Sequence, residues 1–179
     1  MEDKRADMDR ATQGTGIEVA RTTDNQLKVA VPSDFSFDVG RAAIKPQMRP
    51  VLDQFAQGLD PTMRVRIIGH TDSTGNDAIN NPLSVDRAQS VRDYLAGRGV
   101  APTRVETEGH GSREPVADNG SDAGRAQNRR VEIFLRERRE LRHRGREKGI
   151  GRVERLLRPR DELAILVGRG GDLAAAFQE

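Results

Sequence analysis

Apolar residues alternate with polar ones in short runs near the start of the chain. Ile17-Glu18-Val19-Ala20 and Leu27-Lys28-Val29-Ala30-Val31 are separated by a polar stretch with Asp24-Asn25 at its centre, which predicts a β-hairpin. The period then lengthens. Ile44, Met48, Val51, Leu52, Phe55 and Leu59 follow helical spacing, with Pro46 suited to the first turn and Asp60-Pro61 ending the run. Residues 64–69 return to a strand pattern through Val65, Ile67 and Ile68. A polar loop from His70 to Asn81 follows, and a second helix is expected to open at Pro82 with Asn81 as its N-cap. Ala88, Val91 and Leu95 mark the buried face of that helix, and Gly97 and Gly99 offer its stop. Residues 104–108 make another strand candidate. A long polar loop over 109–128 carries at most a helical turn near 123–126. Residues 130–135 alternate strictly, placing Val131, Ile133 and Leu135 on one face. Helices interleaved with strands imply βαβ units with at least one parallel pair. The expected fold is α+β: a mixed four-stranded sheet with two main helices on one face. Residues 1–14, charged and without a sustained apolar stripe, are expected to be a linker or a frayed helix.

Charge divides the chain. The net charge of all 179 residues is only +2, but residues 1–135 hold 18 Lys+Arg against 20 Asp+Glu, whereas residues 136–160 hold 11 against 4. The basicity therefore belongs to a C-terminal tail, and the folded body is not expected to bind nucleic acid through its charge. One Tyr, five Phe and no Trp leave few stacking platforms for single strands. With no Cys, disulfides, thiolate metal sites and acylation at this chain's own cysteine are excluded. No stretch reaches the length of a membrane span, and Met1-Glu2-Asp3-Lys4-Arg5 does not resemble the start of a signal peptide.

The stretch richest in chemistry is Gly69-His70-Thr71-Asp72-Ser73-Thr74-Gly75, followed by Asn80-Asn81-Pro82-Leu83-Ser84-Val85-Asp86-Arg87-Ala88. A strand end feeds a polar loop and then a helix start, where free N–H groups and the helix dipole favour a carboxylate. Arg87, one turn further in, offers a planar fork for the same carboxylate, and Asp72 offers a seat for an ammonium or amide N–H. Such a cleft suits a zwitterion. The plainer reading of Asp72 and Arg87 is an ion pair joining loop to helix. Asn80 serves equally well as a turn residue or a ligand contact.

These segments, with Phe35-Ser36-Phe37-Asp38 upstream, Gly109-His110-Gly111 and Asn128-Arg129-Arg130-Val131-Glu132-Ile133 downstream, resemble the OmpA-like peptidoglycan-binding domain. That family includes OmpA, the peptidoglycan-associated lipoprotein and flagellar stator B subunits. The resemblance spans residues 16–136 and is nearest to small outer-membrane lipoproteins. It implies binding of the peptidoglycan stem peptide through meso-diaminopimelate, with Asp72 and Arg87 as the ligand pair and Thr71, Asn80 and Leu83 beside them. Of Arg129 and Arg130, one is expected to pair with a carboxylate in the body and the other to lie near the groove, and Arg130 is counted among the site residues. The resemblance also implies a place on the periplasmic side of the envelope, associated with the outer membrane in relatives.

His70 and His110 raise the question of metal or acid–base chemistry. Their spacing matches no metal motif and no positioned nucleophile accompanies His70 and Asp72, so packing or loop support is the plainer reading. No cofactor, metal or enzymatic activity is expected. Residues 137–179 exceed the family pattern. They read as a poorly ordered basic extension, an arm for nucleic acid or anionic membranes, or the product of a shifted reading frame. A basic-tailed polyanion binder is thus the alternative function, and a hydrolase using His70 and Asp72 a weaker third.

Overall fold

A computed structural model describes residues 1–138. The tail expected over residues 137–179, whether basic extension, polyanion-binding arm or shifted frame, lies outside the described residues from 139 onward. A hairpin opens the sheet, β1 (Glu18–Arg21) pairing antiparallel with β2 (Leu27–Pro32) across a turn in which Asn25 has a φ of 67°. Beyond it come β3 (Arg64–His70), β4 (Val105–Gly109) and β5 (Arg130–Arg136). The sheet order is β1-β2-β5-β3-β4. Only β3 and β4 are parallel, and β5 lies antiparallel between β2 and β3. The sheet has five strands rather than the expected four, because β1 holds a full four-residue register against β2 (Glu18 with Ala30 through Arg21 with Leu27) and extends the edge.

Leu27, Val29 and Val31 of β2, Val65 and Ile67 of β3, and Val131, Ile133 and Leu135 of β5 form one buried face. Against it pack α3 (Arg49–Ala56), entered through a 3₁₀ turn at Pro46–Met48, and α4 (Asp77–Ala96). Met48, Leu52 and Phe55 meet Ala88, Val91 and Leu95 in that core. Burying a side chain of the Leu or Phe class stabilises by about 1.5–3 kcal/mol, so this cluster carries the domain.

The N-terminal segment is helical and packs rather than frays: α1 (Glu2–Ala11) buries Met8 in the core cluster. Lys4 Nζ donates to the carbonyls of Gln54, at 2.9 Å, and Gln57. A cation thereby caps the otherwise unpaired C-terminal carbonyls of α3.

The second major helix starts earlier than expected. Asn76 is the N-cap, its side chain accepting from the Ile79 N–H at 3.1 Å, and Pro82 lies inside α4 instead of opening it. Asn76 satisfies the orphan donors that Asn81 was expected to take, and proline's lost N–H is tolerated one and a half turns in, where the residue is exposed.

Two glycines let α4 lie down on the sheet. A Cβ at Gly69 would stand 2.1 Å from the Ser84 carbonyl oxygen, and one at Gly109 would stand 2.4 Å from Val85 Cγ2. Only glycine at the ends of β3 and β4 permits this approach. It sets Arg87, three residues after Ser84, above the mouth of the loop that follows β3.

Candidate functional site

Where β3 ends, the chain runs through Thr71 and Asp72 into a cleft of about 460 Å³. One wall is the helix α4, which contributes Asn80, Leu83 and Arg87. The other is the segment after α2 (Ser33–Ser36), which contributes Phe37, Val39 and Gly40, with Asp34 from α2 itself. Five of the six expected site residues (Thr71, Asp72, Asn80, Leu83 and Arg87) therefore line one cavity.

Asp72 and Arg87 are not partners. Asp72 Oδ2 accepts from Arg129 Nη1 at 2.6 Å and Oδ1 accepts from the Thr74 N–H at 2.8 Å. Burial works against the Asp72 charge, but Arg129 and the Thr74 donors outweigh it and hold the carboxyl below its ordinary value. Arg129 also makes a two-pronged contact with Asp34, at 3.1 Å on each arm, and the two carboxylates raise its own pKa.

Arg87 is 5% exposed. Its Nε donates to the Arg41 carbonyl at 2.9 Å, its Nη2 to the Asp38 carbonyl at 3.3 Å, and its guanidinium lies 5.1 Å from the centre of the Phe37 ring. Among the described residues no carboxylate stands within ion-pair distance of it, and burial pushes its pKa down. A buried cation held by carbonyls and a ring face, opening on a cleft, has the chemistry to accept an anion. The helix dipole contributes less than expected. α4 begins ten residues before Arg87, about 15 Å along its axis at 1.5 Å per residue.

Smaller contacts fix the loop. Asn80 Nδ2 donates to the Thr74 carbonyl at 2.9 Å, so Asn80 is both a turn support and a cleft residue. The Thr71 N–H donates to the Gly111 carbonyl at 2.8 Å. Asn128, at the end of α5 (Asp122–Asn128), accepts from the N–H groups of Val116 and Ala117 and donates to the Ala117 carbonyl and to Asn119 Oδ1. One buried amide thereby pins the long 109–128 loop, and Asn119 Oδ1 in turn receives the Ser73 N–H at 3.3 Å.

Arg130 is not in the cleft. It points to the opposite face of the sheet, donating to Glu132 Oε1 at 2.9 Å and to the Asn128 and Glu114 carbonyls. Arg129 takes the place expected for it. The parity of β5 carried this signal, since Val131, Ile133 and Leu135 face the helices, so Arg129 shares their side and Arg130 does not. Asp34, Phe37 and Arg125, which also line the cleft, had no sequence signal tying them to it. His70 does not pair with Asp72. Its Nε2 lies 2.8 Å from Glu132 Oε1, on the face away from α4.

Residues 36–129 match the OmpA family. The chain is 42% identical over 125 residues to the probable lipoprotein YiaD of Escherichia coli, a match covering 69% of this chain and 57% of that protein. It is 48% identical over 96 residues to the peptidoglycan-binding protein ArfA of Mycobacterium tuberculosis, covering 52% and 29%. Each match thus spans under two thirds of the relative's length. Among solved structures, the cell wall anchor of the T6SS from Pseudomonas aeruginosa superposes with a TM-score of 0.63 at 33% identity, covering 75% of this chain and 95% of that one. The peptidoglycan-associated lipoprotein from Burkholderia pseudomallei gives 0.53 at 33% identity, covering 57% and 88%. With its five-stranded sheet, its Asp72–Arg87 cleft and a family match over more than half its length, this chain belongs to the OmpA family.

Proposed function

We propose that the cleft binds the peptide stem of peptidoglycan without covalent chemistry, and that the domain tethers the cell envelope to the wall from its periplasmic side. The observation that carries this reading is Arg87, a buried cation without a carboxylate partner among the described residues, facing a cavity it shares with Asp72. A diaminopimelate residue ends in paired carboxylate and ammonium groups. Its carboxylate satisfies Arg87, and its ammonium reaches Asp72, whose two oxygens each keep a lone pair beyond the Arg129 and Thr74 contacts. Leu83, Val39 and Ile79 supply apolar walls for the methylene chain between them. The relatives named for peptidoglycan binding and cell-wall anchoring support the same reading.

Co-sedimentation with purified sacculi tests it. The wild-type chain is expected to pellet with diaminopimelate-containing sacculi, and Asp72→Ala and Arg87→Ala to stay in the supernatant. Equal pelleting of all three proteins rejects the site. Sacculi with lysine in place of diaminopimelate lack one carboxylate, and undiminished binding to them rejects the diaminopimelate assignment while sparing the cleft.

A further inference from the structure

We propose that His70, His110 and Glu114 form a second, independent site on the face of the sheet away from α4, and that it takes a divalent ion of the zinc class. One ligand atom from each of the three lies within 4.8 Å of the others. Gly69 faces α4, so His70, the next residue of β3, projects to the opposite side, where His110 follows β4 and Glu114 comes back from the loop. The two imidazoles meet edge to face with centroids 5.4 Å apart.

Three observations point to a ligand there. The His70 side chain is 1% exposed; its Nε2 lies 2.8 Å from Glu132 Oε1, while its Nδ1 has no hydrogen-bond partner, which is costly for a buried polar ring unless something else engages that nitrogen. His110 Nε2 hydrogen-bonds Glu108 Oε2 at 2.7 Å, so in the neutral ring the proton sits on Nε2 and Nδ1 carries a lone pair. His110 Nδ1 then lies 3.1 Å from Glu114 Oε2. In the neutral ring two lone-pair atoms at that separation repel unless a proton or a metal cation bridges them, and the distance is close to the spacing of about 3.3 Å that neighbouring ligands adopt around a tetrahedral ion with bonds of about 2.0–2.1 Å.

The carboxylate behind His110, itself paired to Arg66 through two contacts of 2.8 and 2.9 Å, is the outer support expected of a metal-bound imidazole. Two imidazoles and one carboxylate favour Zn²⁺ over Mg²⁺ or Ca²⁺, which prefer all-oxygen shells. Glu114, 60% exposed, gives the ion its way in and leaves a fourth position for water. An ion held here fastens the 110–114 loop to the end of β3.

Isothermal titration calorimetry of the chelator-treated full chain with Zn²⁺ tests the proposal. The third histidine of the chain, His143, lies outside the described residues, so every protein carries His143→Gln. One Zn²⁺ per chain is expected, with a rise in Tm. Glu114→Gln, an exposed change that leaves folding intact, and His110→Gln are each expected to abolish binding. Glu108→Gln is expected to weaken it by about 10- to 100-fold. No binding to the parent chain, or equal affinity in Glu114→Gln, overturns the assignment.

Discussion

Arg129 holds Asp72 at 2.6 Å while Arg87, across the same cleft, has no carboxylate partner within ion-pair distance among the described residues. The two arginines therefore do different work. Arg129 keeps Asp72 charged and in place, whereas Arg87 keeps its charge without a carboxylate, as the proposed ligand contact requires.

That division predicts how the two respond to substitution. Arg87→Leu removes hydrogen bonds to two carbonyls and is expected to cost about 1–3 kcal/mol while abolishing sacculus binding. Arg129→Leu strands Asp72 beside Asp34 and is expected to raise the Asp72 pKa and weaken binding indirectly. Arg130→Leu is expected to destabilise the sheet but leave binding by the folded fraction intact. Urea denaturation and co-sedimentation on the same three proteins separate these outcomes, and loss of binding in Arg130→Leu alone contradicts the assignment.

Acid stability follows from the open face of the sheet. Glu132 is buried and contacts His70, Lys28 and Arg130; burial opposes its charge, yet those partners hold its pKa well below the ordinary value. Glu108, gripped by Arg66 and His110, is held at about 2. A depressed carboxyl stabilises the fold above its unfolded pKa and loses that stabilisation as pH falls through the folded pKa. Stability is therefore expected to fall from about pH 4.5 downward, steeply toward pH 2. Urea midpoints at pH 7, 4 and 2.5 check this. Glu132→Gln, which leaves Arg130 and Lys28 facing a neutral group, is expected to cost about 3–5 kcal/mol at pH 7 and to flatten the acid dependence.

Much of this molecule was legible along the chain because local pattern and tertiary environment agree. The alternation of Val131, Ile133 and Leu135, the helical spacing from Ile44 to Phe55 and the hairpin at Asp24-Asn25 each state which side chains must leave water. The extent of α4 was not, since Asn76 and Asn81 are equally good caps in isolation, and Pro82 reads as a helix start although it lies inside α4. Asp34 reaches Arg129 across 95 residues of sequence, a separation at which no local pattern speaks. The partnership of Asp72 with Arg129 was hidden for the same reason. Residues 1–14 looked unsuited to packing because one apolar residue, Met8, and the stem of Lys4 supply most of their contact.

The seat of α4 on the sheet makes Gly69 a sharp probe. A methyl group there would lie 2.1 Å from the Ser84 backbone oxygen, which cannot rotate away as a side chain would. Gly69→Ala is expected to cost about 1–3 kcal/mol or more and to shift α4, carrying Arg87 away from Asp72. Lower Tm together with weaker sacculus binding is the expected pair. An unchanged Tm contradicts the close packing.

The helix α1 gives the last prediction. Met8 is fully buried against the core, and Lys4 caps α3 through the Gln54 and Gln57 carbonyls. Truncating a buried Met to Ala leaves a cavity, so Met8→Ala is expected to cost about 2–5 kcal/mol. Lys4→Met keeps the aliphatic stem but removes the charged donor, and is expected to cost about 1.5–3 kcal/mol. Neither residue lies near the cleft, so the folded fraction of both variants is expected to bind sacculi as the wild type does. Thermal denaturation measures the first effect and co-sedimentation the second. If Met8→Ala leaves Tm unchanged, α1 is not part of the cooperative fold, and the N-terminal residues revert to the linker that their composition suggests.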